Sequence, residues 1–354
     1  MINDAILSTG AAGARIRFPA EWESQSGVQL TWPHDDTDWR DTLDEVIPCF
    51  VAIAREILSR ERLLIVCRDA DEVRLQLGNT ACSENLRFFQ TAINDTWARD
   101  HAPLSVFANG RPCLYDFAFN GWGLKFAANF DNRITRELVR LRAFAPNVVY
   151  RNLLHCVLEG GSVESDGGDT ILTTENCLLS ANRNEHYGKD ELDAFYRETF
   201  GVKRLLWLRS GYLAGDDTDS HVDTLARFCG RDTIAYVTCD DPTDEHFGAL
   251  REMESELRAF RTTEGRPYAL VALPMAEPTF DGGQRLPATY ANFLIVNGAV
   301  LMPTYGTPRD EVARARLRSA FPGREVVGVN CSPLIKQHGS LHCVTMQYPE
   351  GFLS

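Results

Sequence analysis

The chain has 354 residues, of which 44% are hydrophobic and 10% aromatic, enough for a large folded core. Its 36 Lys and Arg residues against 49 Asp and Glu residues give a formal net charge of −13, which argues against nucleic acid and anionic membranes as partners. No sequence segment is apolar for long enough to span a bilayer, and no basic start with an apolar run predicts a signal peptide, so we expect a cytoplasmic protein.

Two irregular repeats, each made of strands and a helix, are predicted in the N-terminal half, at 27–67 and 102–151. Between them lies the polar segment "NDTWARDHAP" at 94–103, which we interpret as a loop leaving a strand. It places several charged side chains, among them Asp100, beside Trp97, a density that is unusual for a plain turn. A salt-bridge cluster on the surface is the alternative interpretation.

The next block, "LEGGSVESDGGD" at 158–169, begins with Glu159 at the end of an apolar strand. Gly160 and Gly161 follow directly. Glycine at such a position lets another group approach the backbone closely, which is typical of a binding site. A glycine-rich hairpin with one capping carboxylate is the alternative.

The C-terminal half repeats one pattern three times, at 159–208, 221–273 and 291–329. Each copy is predicted as strand, tight turn, strand, helix and strand, and Asn297-Gly298 is the strongest hairpin signal. With the earlier copies, roughly five ββαβ units follow one another. We therefore predict one α/β domain over residues 1–354, with the units in a closed, repeated arrangement. A doubly wound sheet would alternate single strands with helices.

The segment "GDDTDSHVDTLARF" at 215–228 contains His221 and Asp223 two residues apart in a predicted strand, so their side chains leave the same face. Such a pair can be half of a metal site, or a general acid and base beside a carboxylate. Taken alone, a polar strand edge facing water is the more common explanation.

Cys343 lies in the alternating run "HGSLHCVTMQYPE" at 338–350. It could be a buried hydrophobe, half of a disulfide, a metal ligand or a nucleophile. None of the ten cysteines forms a C-x-x-C pair, which argues against structural zinc and a thioredoxin-like site, and we expect reduced thiols. We place His342 on the opposite strand face from Cys343 and assign it a structural role.

A thiol, a histidine and several carboxylates together suit attack on a cationic, planar guanidinium. Carboxylates can hold its N–H fork in bidentate fashion and fix the plane for attack. An ordinary thiol with a pKa of about 8.5 is mostly protonated at neutral pH, so an imidazolium or the substrate cation must favour the thiolate. The acidic net charge is consistent with a cationic ligand, although spacing alone does not exclude the alternatives.

These segments resemble, in their order, the agmatine deiminases of bacteria and plants and the Porphyromonas-type peptidylarginine deiminases. The resemblance extends over nearly the whole chain. Its six motifs are "FPAEWESQSGVQLTWPHDDTDW", "NDTWARDHAP", "LEGGSVESDGGDTILTTENCLLSANRN", "GDDTDSHVD", "NFLIVNGAVLMPTYG" and "GSLHCVTMQYP".

The resemblance implies a pentein fold, a five-bladed α/β propeller of ββαβ repeats around a central active site. It implies hydrolysis of agmatine to N-carbamoylputrescine and ammonia, in polyamine metabolism, through a covalent amidino-cysteine intermediate. No metal or cofactor is implied, and a homodimer is expected.

The resemblance also implies roles for individual residues. Cys343 is the nucleophile, and His221 protonates the departing ammonia and then activates water. Asp100 and Asp223 clamp the guanidinium. Glu159 contacts the substrate or orients His221. Trp97 walls the pocket, for which a buried structural tryptophan is an equal alternative.

Three other functions stay open at this point. The substrate could be peptidyl arginine, the protein could bind guanidino compounds without turning them over, or a metal-dependent hydrolase could be built on His221 and Asp223. The sequence offers no further metal ligands at a recognisable spacing. Two segments, "WGLKFAANFDN" at 122–132 and "LIKQHGSLHC" at 334–343, depart from the pattern of many agmatine deiminases, and we expect them to line the pocket away from the reacting carbon.

Overall fold

The computed structural model describes residues 15–354. The expectation that the chain carries no signal peptide rests in part on residues 1–14, which lie outside this range. Among the described residues, no helix combines the length and the apolar character needed to cross a membrane.

Five mixed sheets, each built on one ββαβ unit, make up the sheet structure of residues 15–354, together with the small hairpin Phe280–Asp281 and Gln284–Arg285. In each unit the first two strands are antiparallel, and the strand after the helix runs parallel to its neighbour. In spatial order, sheet I contains Thr345–Pro349, Gln25–Thr31, Arg62–Cys67 and Leu86–Gln90, and sheet II contains Ile16–Arg17, Leu104–Ala108, Arg111–Ala118 and Val149–Val157. Sheet III contains Val163–Ser165, Thr170–Thr174 and Arg204–Leu208, and sheet IV contains Ala226–Gly230, Thr233–Thr238 and Ala269–Pro274. Sheet V contains Leu294–Val296, Ala299–Thr304 and Glu325–Asn330. The predicted repeat is therefore present.

The helices follow the same repeat. The helices of units I to V are Leu43–Leu58, Ile134–Arg140, Lys189–Phe200, Phe247–Ala259 and Arg309–Ala320. The remaining helices are Ala70–Leu77 and the short Ala98–His101, Gly121–Leu124, Glu175–Leu178, Ala181–Asn184 and Ser332–Ile335, with 3-10 turns at Arg40–Thr42, Gly78–Cys82, Asp131–Arg133, Gly160–Ser162 and Val222–Thr224.

Apolar periodicity explains how the helices pack on their sheets. In the helix Phe247–Ala259, Leu250, Met253 and Leu257 recur every three or four residues and are fully buried against the strands of sheet IV. Burying one such side chain contributes about 1.5–3 kcal/mol, so this face accounts for much of the attachment of the helix.

The first unit takes its strands from both ends of the chain. Thr345–Pro349 pairs antiparallel with Gln25–Thr31, with Thr345 opposite Leu30, and the latter strand continues into the helix of unit I. The C-terminal strand therefore completes a unit that the N-terminal sequence shows only as strand, helix and strand.

Two local predictions of secondary structure are wrong. His221 precedes the 3-10 turn Val222–Thr224, which contains Asp223, so neither residue lies in a strand. His342 and Cys343 lie in a turn that ends where the strand Thr345–Pro349 begins, so the argument from opposite strand faces does not apply. The backbone N–H of His221 donates to the hydroxyl of Thr218, and those of His342 and Cys343 donate to Oδ1 of Asn292, so these groups are not used for strand pairing.

Candidate active site

Each predicted site residue lies in the segment that enters the first strand of a unit. Asp100 precedes Leu104–Ala108, Glu159 precedes Val163–Ser165, His221 and Asp223 precede Ala226–Gly230, and Cys343 precedes Thr345–Pro349. Because the units repeat, equivalent segments of different units can meet at one place. The repeat thus explains how residues far apart in sequence contribute to one site.

A cavity of about 820 Å³ lies beside the segments that carry Asp100 and Cys343. Cys343, Asp100, Trp97 and Trp122 line it, and all four are buried. The lining also includes six further aspartates and a single lysine, Lys125. Those six aspartates are Asp36, Asp38, Asp95, Asp131, Asp216 and Asp217. The cavity therefore favours a cationic ligand.

Cys343 is held by its backbone and by one amide side chain. Its carbonyl oxygen accepts a hydrogen bond from the backbone N–H of Arg99 at 3.1 Å. Oδ1 of Asn292 lies 3.3 Å from the backbone nitrogen of Cys343 and 3.4 Å from its Sγ. Burial, together with the negative charges of Asp223 and Asp100, raises the pKa of the Cys343 thiol well above its ordinary value. Without a ligand the thiol is protonated.

Asp100, in the short helix Ala98–His101, accepts two hydrogen bonds. Nε1 of Trp122 donates to Oδ2 at 3.0 Å, and the backbone N–H of Gly161 donates to Oδ1 at 3.0 Å. Burial raises the pKa of Asp100 to about 6, against the opposing effect of the His221 charge. A bound cation would favour its ionised form.

The two glycines after Glu159 are required by close contacts. A Cβ atom at Gly161 would lie 2.6 Å from Nδ1 of His221, 3.0 Å from Oδ1 of Asp100 and 3.1 Å from Oδ2 of Asp223. At Gly160 it would overlap the carbonyl oxygen of Arg99. Three of the predicted site residues, His221, Asp100 and Asp223, thus lie so close to Gly161 that only glycine fits at this position.

His221 lies between two carboxylates. Its Nδ1 is 3.6 Å from Oδ1 of Asp100, and its Nε2 is 3.8 Å from Oε2 of Glu159. Although burial by itself would lower it, the pKa of His221 is raised well above its ordinary value by Asp100, by the nearby Cys177 and by Glu159. His221 is therefore an imidazolium that can donate a proton.

Glu159 is fully buried and is fixed by Arg183, whose Nε lies 3.0 and 2.9 Å from its two carboxylate oxygens. Although burial alone would raise it, the nearby imidazolium of His221 and the Arg183 guanidinium hold the pKa of Glu159 below its ordinary value. Of the two roles suggested for Glu159, orienting His221 agrees better with this geometry, because Glu159 faces Nε2 of His221 and does not line the cavity.

Asp223 has one oxygen bonded and one free. Oδ2 lies 2.6 Å from Nδ1 of His342, and Oδ1 has no hydrogen-bond partner among residues 15–354. Although burial would raise it, the hydrogen bond from His342 holds the pKa of Asp223 below its ordinary value. His342 thus contacts the site directly, and the expectation that it points away from it is wrong.

Trp97 lines the cavity, and its Nε1 donates to Oδ2 of Asp95 at 2.9 Å. Its ring packs beside Trp39 and Trp122, with ring centroids 5.6 and 6.2 Å apart. A Cβ atom at Gly339 would overlap this ring. Trp97 is therefore both a wall of the cavity and part of the buried core.

Sequence reasoning missed several residues of this arrangement, among them Trp122 and Asn292. Trp122 was expected away from the reacting carbon, yet it donates to Asp100. Asn292 was not singled out, although it enters the first strand of unit V just as Glu159 enters that of unit III. Its position just before the first strand of unit V is the signal that could have identified it. Nothing local in the sequence shows that Trp122 reaches Asp100.

A metal ion is disfavoured at the one described cluster that includes predicted site residues. Glu159, Cys177 and His221 offer ligand atoms within 4.8 Å of one another. However, the guanidinium of Arg183 already binds Glu159 at 2.9 Å, and its positive charge beside the cluster opposes a second cation. The donor set therefore fits a metal ion poorly.

Residues 17–349 match the family model of the Porphyromonas-type peptidyl-arginine deiminases. The chain is 55% identical to a solved Porphyromonas gingivalis protein assigned provisionally as an arginine deiminase, with a TM-score of 0.92 over 96% of this chain and 100% of that one. It is 33% identical to C. jejuni agmatine deiminase, which was solved as a cysteine-to-serine variant with substrate bound. The TM-score is 0.89 over 97% of this chain and 99% of that one.

A curated relative is the agmatine deiminase of Pseudomonas syringae pv. tomato, which is 32% identical over 95% of this chain and 96% of its own. The mixed α/β fold is also shared with the dimethylarginine dimethylaminohydrolase of Pseudomonas aeruginosa, at 15% identity and a TM-score of 0.50 over 92% of this chain and 100% of that one. At that identity the likeness concerns the pentein fold alone.

Proposed function

The chain belongs to the Porphyromonas-type peptidyl-arginine deiminase family, as its motifs predicted, and we propose that it hydrolyses the guanidinium of agmatine to N-carbamoylputrescine and ammonia. One observation carries this proposal. His221, Asp100 and Asp223 converge around Gly161, and Cys343 lines the same acidic cavity as Asp100. A nucleophile, a proton donor and two cation-binding carboxylates are what guanidinium hydrolysis needs.

Substrate binding itself activates the thiol in this scheme. Burial and the negative charges of Asp223 and Asp100 hold the thiol pKa high, and substrate binding acts on the part due to these charges. A guanidinium bound between them neutralises both and brings its own positive charge beside Sγ of Cys343. The thiol then loses its proton to solvent, and the thiolate attacks the central carbon to form a C–S bond.

The remaining proton transfers belong to His221. The imidazolium donates a proton to one nitrogen of the tetrahedral adduct, the C–N bond breaks, and ammonia leaves an amidino-cysteine intermediate. The imidazole, now neutral, takes a proton from water as the oxygen attacks the same carbon. The C–S bond then breaks, the hydroxyl proton passes to the departing sulfur, and the thiol and the neutral ureido product result. Glu159 keeps the ring of His221 in place through both steps.

The charges of the cavity favour agmatine over free arginine. Agmatine carries a second positive charge at its amine end, whereas arginine carries a carboxylate there. Lys125 is the only lysine or arginine that lines the described cavity, and its Nζ is already bound by the carbonyl of Asp217 at 2.5 Å and Oδ1 of Asp219 at 2.8 Å. A substrate carboxylate would therefore meet aspartates and no free cation.

Peptidyl arginine is the second candidate, because a peptide backbone brings no charge. The exposed side chains of Leu124 and Phe126 near the cavity could contact such a peptide. A protein that only binds guanidino compounds is disfavoured, because the thiol and the imidazolium are both in the site.

We also infer that the five units close into a single five-bladed pentein propeller, as one domain over the chain. The pairing of strands from both chain ends in sheet I supports this closure. The functional segments at the start of each unit would then surround the central axis.

The test uses purified protein with agmatine, free arginine and a blocked arginyl peptide, and follows ammonia and the ureido product. We expect agmatine to be turned over fastest, and Cys343→Ser to turn over none of the three. Turnover of the peptide without turnover of agmatine would overturn the substrate assignment. Binding of all three compounds without turnover would overturn the catalytic assignment.

A further inference from the structure

His342 connects Asp223 to a second carboxylate, Glu21, that the reaction scheme does not use. Nδ1 of His342 lies 2.6 Å from Oδ2 of Asp223, and its Nε2 lies 2.8 Å from Oε2 of Glu21. All three side chains are buried. Because an ionised carboxylate only accepts hydrogen bonds, Nδ1 must carry a proton to satisfy the contact with Asp223, whereas Nε2 also lies 3.1 Å from Nη2 of Arg227, which can only donate.

Glu21 is a fixed anchor for this ring. Its Oε2 also accepts a hydrogen bond from Nη2 of Arg227 at 2.8 Å, and its Oε1 accepts one from the backbone N–H of Ile295 at 2.6 Å. Although burial would raise it, Arg227 and His342 hold the pKa of Glu21 well below its ordinary value. Glu21 therefore stays ionised and keeps Nε2 of His342 in place.

Other buried charged side chains surround Glu21 and His342 and balance the negative charge of Glu21. Arg227 pairs with Glu164 and donates to the carbonyl oxygen of Phe293 at 2.6 Å. Nη2 of Arg99 lies 4.0 Å from Oε2 of Glu21. The carboxylates of Asp223, Glu21 and Glu164 thus face Arg99, Arg227 and the ring of His342. Removing one of these charges leaves another buried without compensation.

We propose that His342 is a positioning residue, whose Nδ1–H keeps Asp223 ionised and oriented so that Oδ1 is left for the substrate guanidinium. The inference rests on the proposed function, since it assigns Asp223 to substrate binding. The buried Oδ1, which has no partner within residues 15–354, is the oxygen available to the substrate. Without the donor at Nδ1, this buried carboxylate rotates or takes up a proton, and it then binds the cation less well.

Two substitutions separate this role from simple packing. The side-chain nitrogen of asparagine lies close to where imidazole has Nδ1, and that of glutamine lies close to where it has Nε2. His342→Asn therefore keeps the donor to Asp223 and loses the donor to Glu21. His342→Gln keeps the donor to Glu21 and loses the donor to Asp223. The two variants are matched controls for each other.

The first measurement is calorimetric binding of agmatine in the Cys343→Ser background, which removes turnover. We expect His342→Asn to bind nearly as tightly as that background. We expect His342→Gln to bind about tenfold to a hundredfold more weakly, as for a lost hydrogen bond to a charged group. Equal affinities of the two variants, or tighter binding by the glutamine variant, would overturn the proposal, whatever the urea unfolding of each variant shows.

Steady-state kinetics with Cys343 intact provide a second measurement. His342→Gln should raise KM more than it lowers kcat, because the lost interaction holds the group that binds substrate. A fall in kcat at unchanged KM would contradict this. If the unmodified protein hydrolyses the arginyl peptide and not agmatine, the substrate assignment has failed, and the same comparison with the peptide still tests His342.

A third measurement needs no variant, so it does not depend on whether the substitutions fold. Neutron diffraction from crystals of the unmodified protein locates the ring deuterons of His342. A deuteron on Nδ1 is the expected result, whether or not Nε2 also carries one. A ring deuterated only on Nε2 would leave Asp223 without its donor and would overturn the proposal.

Discussion

The backbone N–H of Arg99 donates a hydrogen bond to the carbonyl oxygen of Cys343 at 3.1 Å. This bond joins the turn that carries the thiol to the short helix that carries Asp100. Both segments enter the first strand of a unit, so the repeat of the fold brings them side by side. The distance between the thiol of Cys343 and the carboxylate of Asp100 is therefore set by backbone groups, which shift less than long side chains.

Replacing the nucleophile should separate binding from chemistry. Cys343→Ser should reduce kcat for agmatine by about 10⁴-fold or more, because a hydroxyl in this site has no base to ionise it. Binding of agmatine should persist, since Asp100 and Asp223 are unchanged. Calorimetry and an ammonia assay test the two statements, and substantial turnover by the serine variant would refute the nucleophile assignment.

The hydrogen bond from Trp122 to Asp100 should matter for substrate binding. Trp122→Phe keeps an aromatic ring and removes the N–H that lies 3.0 Å from Oδ2. We expect KM for agmatine to rise about tenfold, as for a lost hydrogen bond to a charged group.

Trp207→Phe is the matched control, since Nε1 of Trp207 also donates to an aspartate, Asp193, at 3.0 Å, and neither residue lines the cavity. It should leave KM unchanged. Equal kinetic effects of the two substitutions would show that the bond at Asp100 has no special role.

Gly161 should tolerate no side chain. The added Cβ atom of Gly161→Ala would lie 2.6 Å from Nδ1 of His221 and 3.0 Å from Oδ1 of Asp100, so the catalytic groups must move. We expect kcat/KM to fall by about a hundredfold or more. Circular dichroism checks that the variant is folded.

Gly248→Ala provides the comparison, because its Cβ atom in the helix Phe247–Ala259 would meet nothing within 4 Å. Alanine is the better helix former by about 1 kcal/mol, so this variant should be fully active and slightly more stable. Full activity of Gly161→Ala would mean that the convergence at this point is not needed for catalysis.

The pH dependence should reflect ionisation of Asp100. Burial raises the pKa of this carboxyl to about 6, and only its ionised form pairs with a guanidinium. The sign follows directly: below about pH 6 the carboxyl holds a proton that the substrate must displace, so kcat/KM should fall as pH falls through this value. Kinetics between about pH 5 and about pH 8 measure this, with circular dichroism as a check on folding. A flat profile through pH 6 would contradict the prediction.

Much of the architecture could be predicted from local signals. Hairpin dipeptides such as Asn297-Gly298, and the apolar spacing of Leu250, Met253 and Leu257, act over a few residues and are visible in the sequence. The same signals predicted the ββαβ order of every unit except the first, whose missing strand comes from the C-terminus. The resemblance in the motifs predicted the family correctly.

The site was less predictable where contacts are distant in sequence. His342 was assigned a structural role because alternation suggested a strand, whereas Asn292 accepts hydrogen bonds from the backbone N–H groups of His342 and Cys343 in a turn. The donation from Trp122 to Asp100 depends on a backbone with positive φ at Trp122, which no sequence pattern predicts. Arg183 fixes Glu159 from a separate helix.

The sequence by itself determined the repeating unit and the kinds of side chain that precede each first strand, because propensity, turn chemistry and periodicity act between neighbours. Only the tertiary structure decided which of those side chains meet, since the distances from Gly161 to His221, Asp100 and Asp223 follow from how separate units pack. The tertiary structure also decided the charge state of the site. Burial raises the pKa values of Cys343 and Asp100, and facing carboxylates raise that of His221, because each effect depends on neighbours that folding brings together.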